Sequence, residues 1–439
     1  MTRTAAWEVL RSTSSTPMRE IERVATRRGL DARDTGLLRA IVGTEIRRRG
    51  TLRAIVEAFV PRKPKPDLIA HLHVGLVQLL FHDRIPDHAA VSETSEAVGS
   101  TLGSSKVPFV HGVLRSVIRA RREGASDDPR RALAGRPLHF DREVFHDPVK
   151  HPLLWAEDAL SIPAALMKRW TRRYRATEAA RLARFFLSEP PLVLRSVDAR
   201  ERVLAELAAA GIEARAGGHA ATIVCPADQT GPVTSCAAFR EGRVTIQGAT
   251  AALAAELVEA RPGEEVLDLC AAPGGKTAVL AGSGAHVTAV DDDEARLARA
   301  RDTCARLGVL ERVELVVSDG TRELGDRRFD AVLVDAPCTN TGVLGARPEA
   351  RWRFGPSSLR SVVELQRRLL EEGAACVRPG GRLVWSTCSL EPEENGRQIA
   401  SFLAEHAGWR LDLERTSLPD ADQGPWDGGY AARLVRSRD

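Results

Sequence analysis

The sequence lacks the features that mark membrane, secreted and zinc-binding proteins. No apolar run in its 439 residues approaches the length of about 20 residues that a membrane-spanning helix needs. The segment Met1–Glu8 has no apolar core of the kind found in signal peptides. The seven cysteines form no C-x-x-C pair and no cluster with histidine at zinc spacing. We therefore expect a cytoplasmic protein without a metal site or a disulfide framework.

Positive charge is concentrated in the N-terminal part of the chain. The whole chain carries a net charge of +4, but residues 1–125 contain 21 Lys+Arg against 13 Asp+Glu, a difference of +8, which leaves −4 for the remainder. This asymmetry indicates a polyanionic partner such as a nucleic acid. An arginine-rich surface that faces only solvent is the alternative.

The spacing of apolar residues predicts an N-terminal helical bundle over residues 1–125. Apolar side chains recur at helical intervals, most densely in Leu68–Leu80, and the prolines between these segments are expected to end helices. Residues 126–150 are rich in turn formers and charges, so we expect a linker there. Residues 151–250 mix a helical segment near Pro163–Leu187 with short strands at Leu192–Leu194 and Val244–Ile246, which predicts a small α+β subdomain.

From residue 251 to 439, strands alternate with helices. Such alternation predicts a parallel, doubly wound α/β sheet, to which Trp409–Leu413 and Tyr430–Val435 could add two antiparallel strands. The candidate parallel strands are Val266–Leu269, His286–Val290, Val313–Val317, Ala331–Val334 and Arg382–Trp385.

A glycine-rich turn follows the first of these strands and points to an adenosine-containing cofactor. The segment Asp268–Thr277 ends like a phosphate-binding P-loop, but Cys270 stands where that loop requires glycine, and the G-x-G-x-x-G of dehydrogenases is absent. Asp291 ends the second strand, where a carboxylate can accept both ribose hydroxyls. Asp319 follows the third strand and is placed to reach an adenine, or it forms a plain turn. A site that can bind a nucleoside but has no phosphate-binding motif indicates S-adenosylmethionine.

Two cysteines follow later strands, in Asp335-Ala-Pro-Cys338 and in Ser386-Thr-Cys388. The carboxyl ends of parallel strands are where open α/β sheets bind ligands. A thiolate that adds to carbon 6 of a cytosine makes carbon 5 nucleophilic enough to take a methyl group. Asp335 is suited to stabilise the charge that develops at ring N3, and a second thiol can assist release. Lys276 is either a surface lysine or a polar active-site group.

The remaining cysteines are not part of a motif that indicates catalysis. We interpret Cys270, Cys304 and Cys376 as members of strand or helix patterns, and Cys225 and Cys236 stand without a motif. An inert, buried thiol at a strand end is also the alternative for Cys338 and Cys388. Their joint occurrence at two strand ends of one sheet favours catalysis.

The sequence blocks resemble those of a known family of RNA-modifying enzymes. Leu267–Thr277, Asp335–Cys338 with Thr341-Gly-Val343, Arg347–Trp352 and Ser386–Asn395 resemble the signature blocks of RNA 5-methylcytosine methyltransferases. Val74–Phe81, Arg84–Thr94 and Gly112–Arg115 resemble the NusB-like helical domain fused to this enzyme in the RsmB (Sun/Fmu) group. The sequence departs from the family pattern at Gly248, Ala252, His111 and Val197.

The resemblance implies a fold, a reaction and roles for individual residues. It implies a NusB-like bundle and a Rossmann-like methyltransferase domain that methylates carbon 5 of a cytosine in 16S rRNA, cytosine 967 in standard numbering. It assigns nucleophilic attack to Cys388 and product release to Cys338, with Asp335 and Lys276 beside them. Contacts to S-adenosylmethionine are expected from Cys270, Ala271, Ala272, Pro273, Gly274, Gly275, Lys276, Asp291, Asp319 and Asp335.

The expected partner is 16S rRNA or an assembly intermediate of the small ribosomal subunit, bound by a monomer, with neither DNA nor a membrane involved. Phosphate contacts are expected from residues of the basic domain, including Arg47, Arg48, Arg49 and Arg53. Two alternatives remain open: the same chemistry on another rRNA or tRNA cytosine, and a non-catalytic RNA-binding protein.

Overall fold

The computed structural model describes residues 1–12, 14, 16–420, 424 and 426–438. The chain forms two compact units. The first comprises Met1–Ser188 and Arg347–Gly355, and the second comprises Glu189–Ala346 and Pro356–Asp439. Among the described residues, no helix is both long enough and apolar enough to cross a membrane.

The first unit is a helical bundle with one short hairpin. Helix α3 begins at the N-cap Asp31, whose side chain accepts a hydrogen bond from the backbone N–H of Asp34. Pro61 follows the end of α3, whereas Pro66 occupies the first position of α4, where its missing N–H costs nothing. The elements are α1 (Thr2–Arg11), α2 (Pro17–Arg28), α3 (Ala32–Phe59), α4 (Pro66–Phe81), α5 (Asp87–Leu102), α6 (Val107–Ala120), β1 (Arg121–Glu123), β2 (Leu138–Phe140), α7 (Pro152–Ala159) and α8 (Ala164–Phe185).

The prediction of a linker over residues 126–150 is wrong. Strands β1 and β2 pair antiparallel, and the segment around them contributes buried apolar side chains to the core of the helical unit. These side chains are spaced irregularly, so the periodicity of the sequence does not reveal them. They are Leu133, Leu138, Phe140 and Phe145.

Residues 151–188 also belong to the helical unit, not to the α+β subdomain in which the sequence patterns had put them. Helix α7 approaches α3 so closely that a Cβ atom at Gly50 would lie 1.9 Å from the carbonyl oxygen of Glu157. The Thr51 hydroxyl donates to the carbonyl of Asp158 at 2.8 Å, and the Thr51 N–H donates to the Ser161 hydroxyl at 3.1 Å. Glycine at position 50 is therefore a packing requirement of this unit.

A distant segment, Arg347–Gly355, completes the helical unit. Its short helix Ala350–Arg353 carries Arg351, which is fully buried and donates to backbone carbonyls, including that of Phe186 at 2.9 Å. Trp352 donates its indole N–H to the carbonyl of Ile46 at 2.7 Å. A segment so far along the chain is invisible to patterns read over neighbouring residues.

The second unit starts with a small α+β part. Four antiparallel strands lie in the order β4-β5-β3-β6 and are covered by short helices. The elements are β3 (Leu192–Ser196), α9 (Arg200–Ala209), β4 (Arg215–Ala216), β5 (Thr222–Cys225), α10 (Thr230–Ser235), α11 (Ala237–Arg240) and β6 (Val244–Ile246).

The remainder of the second unit is the predicted doubly wound sheet. Its seven strands lie in the order β12-β13-β11-β10-β7-β8-β9, and only β13 runs antiparallel to its neighbours. The elements are α12 (Ala249–Glu256), β7 (Glu265–Leu269), α13 (Gly275–Gly282), β8 (His286–Asp291), α14 (Glu294–Arg306), β9 (Val313–Val317), β10 (Phe329–Asp335), α15 (Ala350–Arg353, within the helical unit), α16 (Pro356–Ala375), β11 (Val377–Thr387), α17 (Gly396–Glu405), β12 (Trp409–Ser417) and β13 (Gly429–Arg436).

Alternating side chains of the central strands cover opposite faces of this sheet. Val332 and Val334 of β10 join the core beneath α16 and α17, whereas Ala331 and Leu333 join the core beneath α12 and α13. The strand order reverses between β7 and β10, so a crevice opens at their carboxyl ends. The residues after β7, β8, β9, β10 and β11 therefore meet at one edge.

Candidate functional site

The glycine-rich turn between β7 and α13 forms one wall of the crevice. Cys270 begins the turn with a φ of 66°, and Gly274 has a φ of 90°, which glycine adopts without strain. A Cβ atom at Gly274 would lie 2.8 Å from the Cα atom of Ala300 in α14. The turn and α14 are thus held in direct backbone contact, which leaves the amides of the turn beside the crevice.

Asp291 lies at the centre of a cavity next to this turn. Its carboxylate accepts hydrogen bonds from the N–H groups of Ala272 and Asp293, both at 3.2 Å, and it is 2.9 Å from the guanidinium of Arg296. Burial raises the pKa of Asp291, and Arg296 offsets part of this rise. Asp319, at the edge of the same cavity, is exposed and pairs with Arg368 at 2.9 Å, which lowers its pKa.

The cavity has the mixed polar and apolar lining expected of a nucleoside-binding site. Besides its two acids it has apolar walls, which the sequence patterns did not single out because apolar residues on a helix are indistinguishable from core. The additional lining residues include Leu269, Val290, Pro337, Leu365 and Leu369. Asp268 in β7 is fully buried, and its Oδ1 atom has no hydrogen-bond partner among the described residues.

Lys276 and Asp335 form an ion pair beside the turn. The ammonium of Lys276 donates to Asp335 Oδ2 at 2.7 Å, and its side chain is only 14% exposed. Burial opposes the charge on Lys276, but attraction to Asp335 outweighs it and raises the pKa of the ammonium. The interpretation of Lys276 as a solvent-facing lysine is therefore wrong.

The two cysteines expected at strand ends are in contact. The Sγ atoms of Cys338 and Cys388 are 2.8 Å apart. The hydrogen bond to Cys388, together with burial, raises the pKa of Cys338 well above its ordinary value. Asn340, at a φ of 61°, donates to the carbonyl of Cys338 at 2.7 Å and accepts from the Cys388 thiol at 3.2 Å.

A buried carboxylate behind the thiols was missed by the sequence analysis. Glu394 is fully buried and accepts hydrogen bonds from the Thr339 N–H at 2.8 Å, the Thr339 hydroxyl, the Ser389 hydroxyl and the Gln366 amide at 3.0 Å. Thr339 follows Cys338 and Ser389 follows Cys388, so one carboxylate fixes both thiol-bearing loops. Its position within the Ser386–Asn395 block was the available signal.

The other cysteines lie away from this thiol pair. Cys225, Cys304 and Cys376 are buried, and burial raises the pKa of each. Cys236 is half-buried within the α+β part. Over the described residues, no group of three or more histidine, cysteine or acidic side chains is arranged to hold a metal ion.

Of the four arginines expected to contact phosphate, three are unsuitable. Arg47 and Arg48 are 7% and 5% exposed, and Arg48 donates inward to the carbonyl of Ala134 at 2.7 Å. Arg49 is committed to Glu45 at 2.8 Å. Only Arg53 is exposed. Glu45, Arg47 and Arg48 are buried because this part of α3 is covered by neighbouring segments of the helical unit, which a count of charges does not reveal.

The strand order, the turn after β7 and the acid after β8 define a class I S-adenosylmethionine-dependent methyltransferase fold, preceded by a helical domain. Residues 255–428 match the family described as 16S rRNA methyltransferase RsmB/F, and residues 2–119 match the NusB family. The chain belongs to the ribosomal RNA small subunit methyltransferase B family, which confirms the resemblance seen in the sequence.

Relatives of that name cover most of the chain. The protein from Pseudomonas syringae pv. tomato is 34% identical over 439 residues, which are 93% of this chain and 90% of the relative. The protein from Serratia proteamaculans is 33% identical over 83% of this chain and 81% of its own. The crystal structure of PH0851 has a TM-score of 0.75 at 25% identity and covers 99% of this chain and 98% of its own. The protein is therefore an S-adenosylmethionine-dependent rRNA methyltransferase.

Proposed function

We propose that the protein methylates carbon 5 of a cytosine in 16S rRNA, cytosine 967 in standard numbering, through a covalent bond between Cys388 and carbon 6. The observation that carries the proposal is the contact of two thiols, 2.8 Å apart, at the same sheet edge as the Lys276–Asp335 pair and the cavity lined by Asp291 and Asp319. A pair of thiols beside an acid and a cation provides the groups that are needed for covalent addition to a pyrimidine and for later release of the product.

The two thiols differ in their electrostatic surroundings. The ammonium of Lys276 lies within electrostatic reach of Cys388. Cys338 keeps its proton because its pKa is raised, so it can donate that proton to the sulfur of Cys388. These roles of Cys388 and Cys338 agree with those that the family resemblance implies.

Asp335 and Lys276 act on the other side of the base. Addition of a thiolate to carbon 6 moves electron density towards N3 and the neighbouring carbonyl oxygen. A proton shared by the Asp335 carboxyl and the Lys276 ammonium can neutralise that charge as it develops. The pair thereby stabilises the addition step more than it stabilises the unreacted base.

The cofactor cavity adjoins this machinery. S-adenosylmethionine supplies an electrophilic methyl group when bound. The residues suited to hold it are Asp291 at the ribose, Asp319 at the cavity edge and the backbone of Cys270–Gly275. In this arrangement the chain itself orients carbon 5 towards the methyl group.

The RNA must present an unpaired or extruded base, because the reactive edge of a stacked cytosine cannot reach a thiol. We propose that phosphates contact the exposed face of α8, where Lys168 and Arg172 stand one helical turn apart, together with Arg53. Helix α8 is thus a more suitable candidate for phosphate contacts than the buried arginines of α3.

A gel assay for covalent protein–RNA adducts tests the proposal. Wild type, Cys338→Ala and Cys388→Ala are each incubated with 16S rRNA and S-adenosylmethionine, denatured and separated. We expect a stable adduct with Cys338→Ala only, and mapping of 5-methylcytosine in the wild-type product should locate the target nucleotide.

An adduct only with Cys388→Ala would reverse the roles of the thiols. Methylation of another rRNA or a tRNA in place of 16S rRNA would correct the substrate, and failure to bind S-adenosylmethionine in calorimetry would favour a non-catalytic RNA-binding protein.

A further inference from the structure

The reaction needs a base that the groups above do not supply. After methyl transfer, carbon 5 carries both the new methyl group and its original hydrogen. That hydrogen must leave as a proton before Cys388 can be expelled. Asp335 is engaged with Lys276, and the oxygens of Glu394 already accept from Thr339, Ser389 and Gln366. Neither carboxylate is available to receive the proton.

The segment before β13 lies directly against the attacking cysteine. The N–H of Gly428 donates to the carbonyl of Gly342 at 2.7 Å, and the N–H of Gly342 donates to the carbonyl of Cys388 at 3.0 Å. A Cβ atom at Gly429 would be 3.7 Å from the Cα atom of Cys388. These contacts fix the position of Asp427, the residue that precedes Gly428.

The Asp427 carboxylate faces an open cavity of the second unit. The cavity is also lined by Val343, Ile246 and Trp426. A Cβ atom at Gly248 would lie 2.3 Å from Asp427 Oδ2, so the absence of a side chain at position 248 makes room for this carboxylate. No other side chain among the described residues donates a hydrogen bond to it.

We propose that Asp427 is the general base that removes the proton from carbon 5; this inference rests on the proposed covalent mechanism. Asp427 takes the proton, and the electrons of the C5–H bond form the C5=C6 double bond. The bond between carbon 6 and the sulfur of Cys388 breaks, and its electrons leave with the sulfur. Cys338 then reprotonates that sulfur. The step consumes no oxidant or reductant, and every atom and charge is accounted for.

The electrostatic setting suits this role. Burial raises the pKa of Asp427 to about 6, while the nearby Lys276 ammonium limits the rise. A base with a pKa close to the working pH is both ionised and strong enough to accept a proton. The titratable groups facing it include Lys276 and, through the same ion pair, Asp335.

A double-label experiment separates methyl transfer from proton removal. RNA carrying tritium at carbon 5 of cytosine is mixed with S-adenosylmethionine carrying a labelled methyl group. Wild type should release one tritium for each methyl transferred. Asp427→Asn should transfer up to one methyl per enzyme, hold it in a denaturation-resistant adduct, and release tritium at least about 100-fold more slowly. Single-turnover tritium release by wild type should rise with pH through about 6, and this rise should be absent in the variant.

Two further variants serve as a control and as an independent test of the role of Asp427. Asp302→Asn, on the exposed surface of α14, should behave as wild type. Gly248→Ala should displace the Asp427 carboxylate and slow tritium release without touching that residue. Tritium release in step with methyl transfer by Asp427→Asn would overturn the proposal, and so would loss of adduct formation in a variant that still binds S-adenosylmethionine. No adduct in any cysteine variant would instead refute the covalent mechanism itself.

Discussion

The buried carboxylate of Glu394 offers a graded test of how the two thiols are positioned. It accepts from four donors and is fully buried, so each donor left unpaired costs about 1–3 kcal/mol. Glu394→Met leaves all four unpaired, and we expect a loss of about 4 kcal/mol or more. In Glu394→Gln, the amide oxygen can keep the Thr339 N–H and Gln366, while the Ser389 and Thr339 hydroxyls rotate to accept from the new NH₂ group. That loss should be about 1–2 kcal/mol.

Differential scanning calorimetry measures these losses. The transition of the catalytic unit is identified as the one that S-adenosylhomocysteine raises, since a ligand stabilises the state that it binds. For a unit of this size, 1 kcal/mol corresponds to about 2–4 °C. We expect a decrease of about 10 °C or more for Glu394→Met, a few degrees for Glu394→Gln, and none for Glu405→Gln, which changes an exposed residue near the end of α17. Equal decreases for the Met and Gln variants would refute the assignment of four donors to this carboxylate.

Three further predictions concern packing, pH and RNA binding. Gly50→Ala should destabilise the helical unit by about 2–3 kcal/mol in thermal denaturation, because its Cβ would meet a carbonyl at 1.9 Å, whereas Gly36→Ala in the same helix has nothing within 4 Å and should stabilise it by up to about 1 kcal/mol. Burial raises the pKa of Asp268 from 3.8 to about 7, so its contribution to folding is complete below about pH 4 and is lost as pH rises through 7; Asp268→Asn should remove that part of the pH dependence in denaturation titrations. Replacing Lys168 and Arg172 by Gln should lower the slope of log K for RNA against log salt by about 0.7–0.9 per lost contact, and an unchanged slope would exclude α8 from the interface.

Much of the catalytic unit could be predicted from the sequence because its strands and its candidate site residues are close neighbours along the chain. Each strand of the parallel sheet is a short apolar run, and each candidate side chain follows such a run directly. Asp291, Asp335 and Cys388 were found in this way, and the sheet brings them to one edge because parallel strands end together. The two strands at the tail were also predicted; they pair antiparallel to each other, but only β13 runs against the direction of the other strands.

The features that were missed depend on contacts between distant segments. Glu394 and Asp427 follow no strand, and their roles depend on which backbone lies opposite. Buried charge was missed for a related reason. The sequence indicates that Arg48 is a surface residue, but the distant segment around Ala134 packs against it. The segment Arg347–Gly355 joins the helical unit through Arg351, and no periodicity within its nine residues could indicate that destination.

The arrangement of acids around Lys276 explains how one site can both form and break a carbon–sulfur bond. The acidic groups that interact with the ammonium include Asp335, Asp268 and Cys388. Once the sulfur of Cys388 has bonded to carbon 6, it carries no negative charge, whereas Asp427 must be ionised to accept a proton. When Asp427 takes the proton from carbon 5, it becomes neutral as the thiolate is regenerated. The net charge of the proteinaceous site is then the same on both sides of the elimination, so neither direction requires a new uncompensated charge in a buried setting.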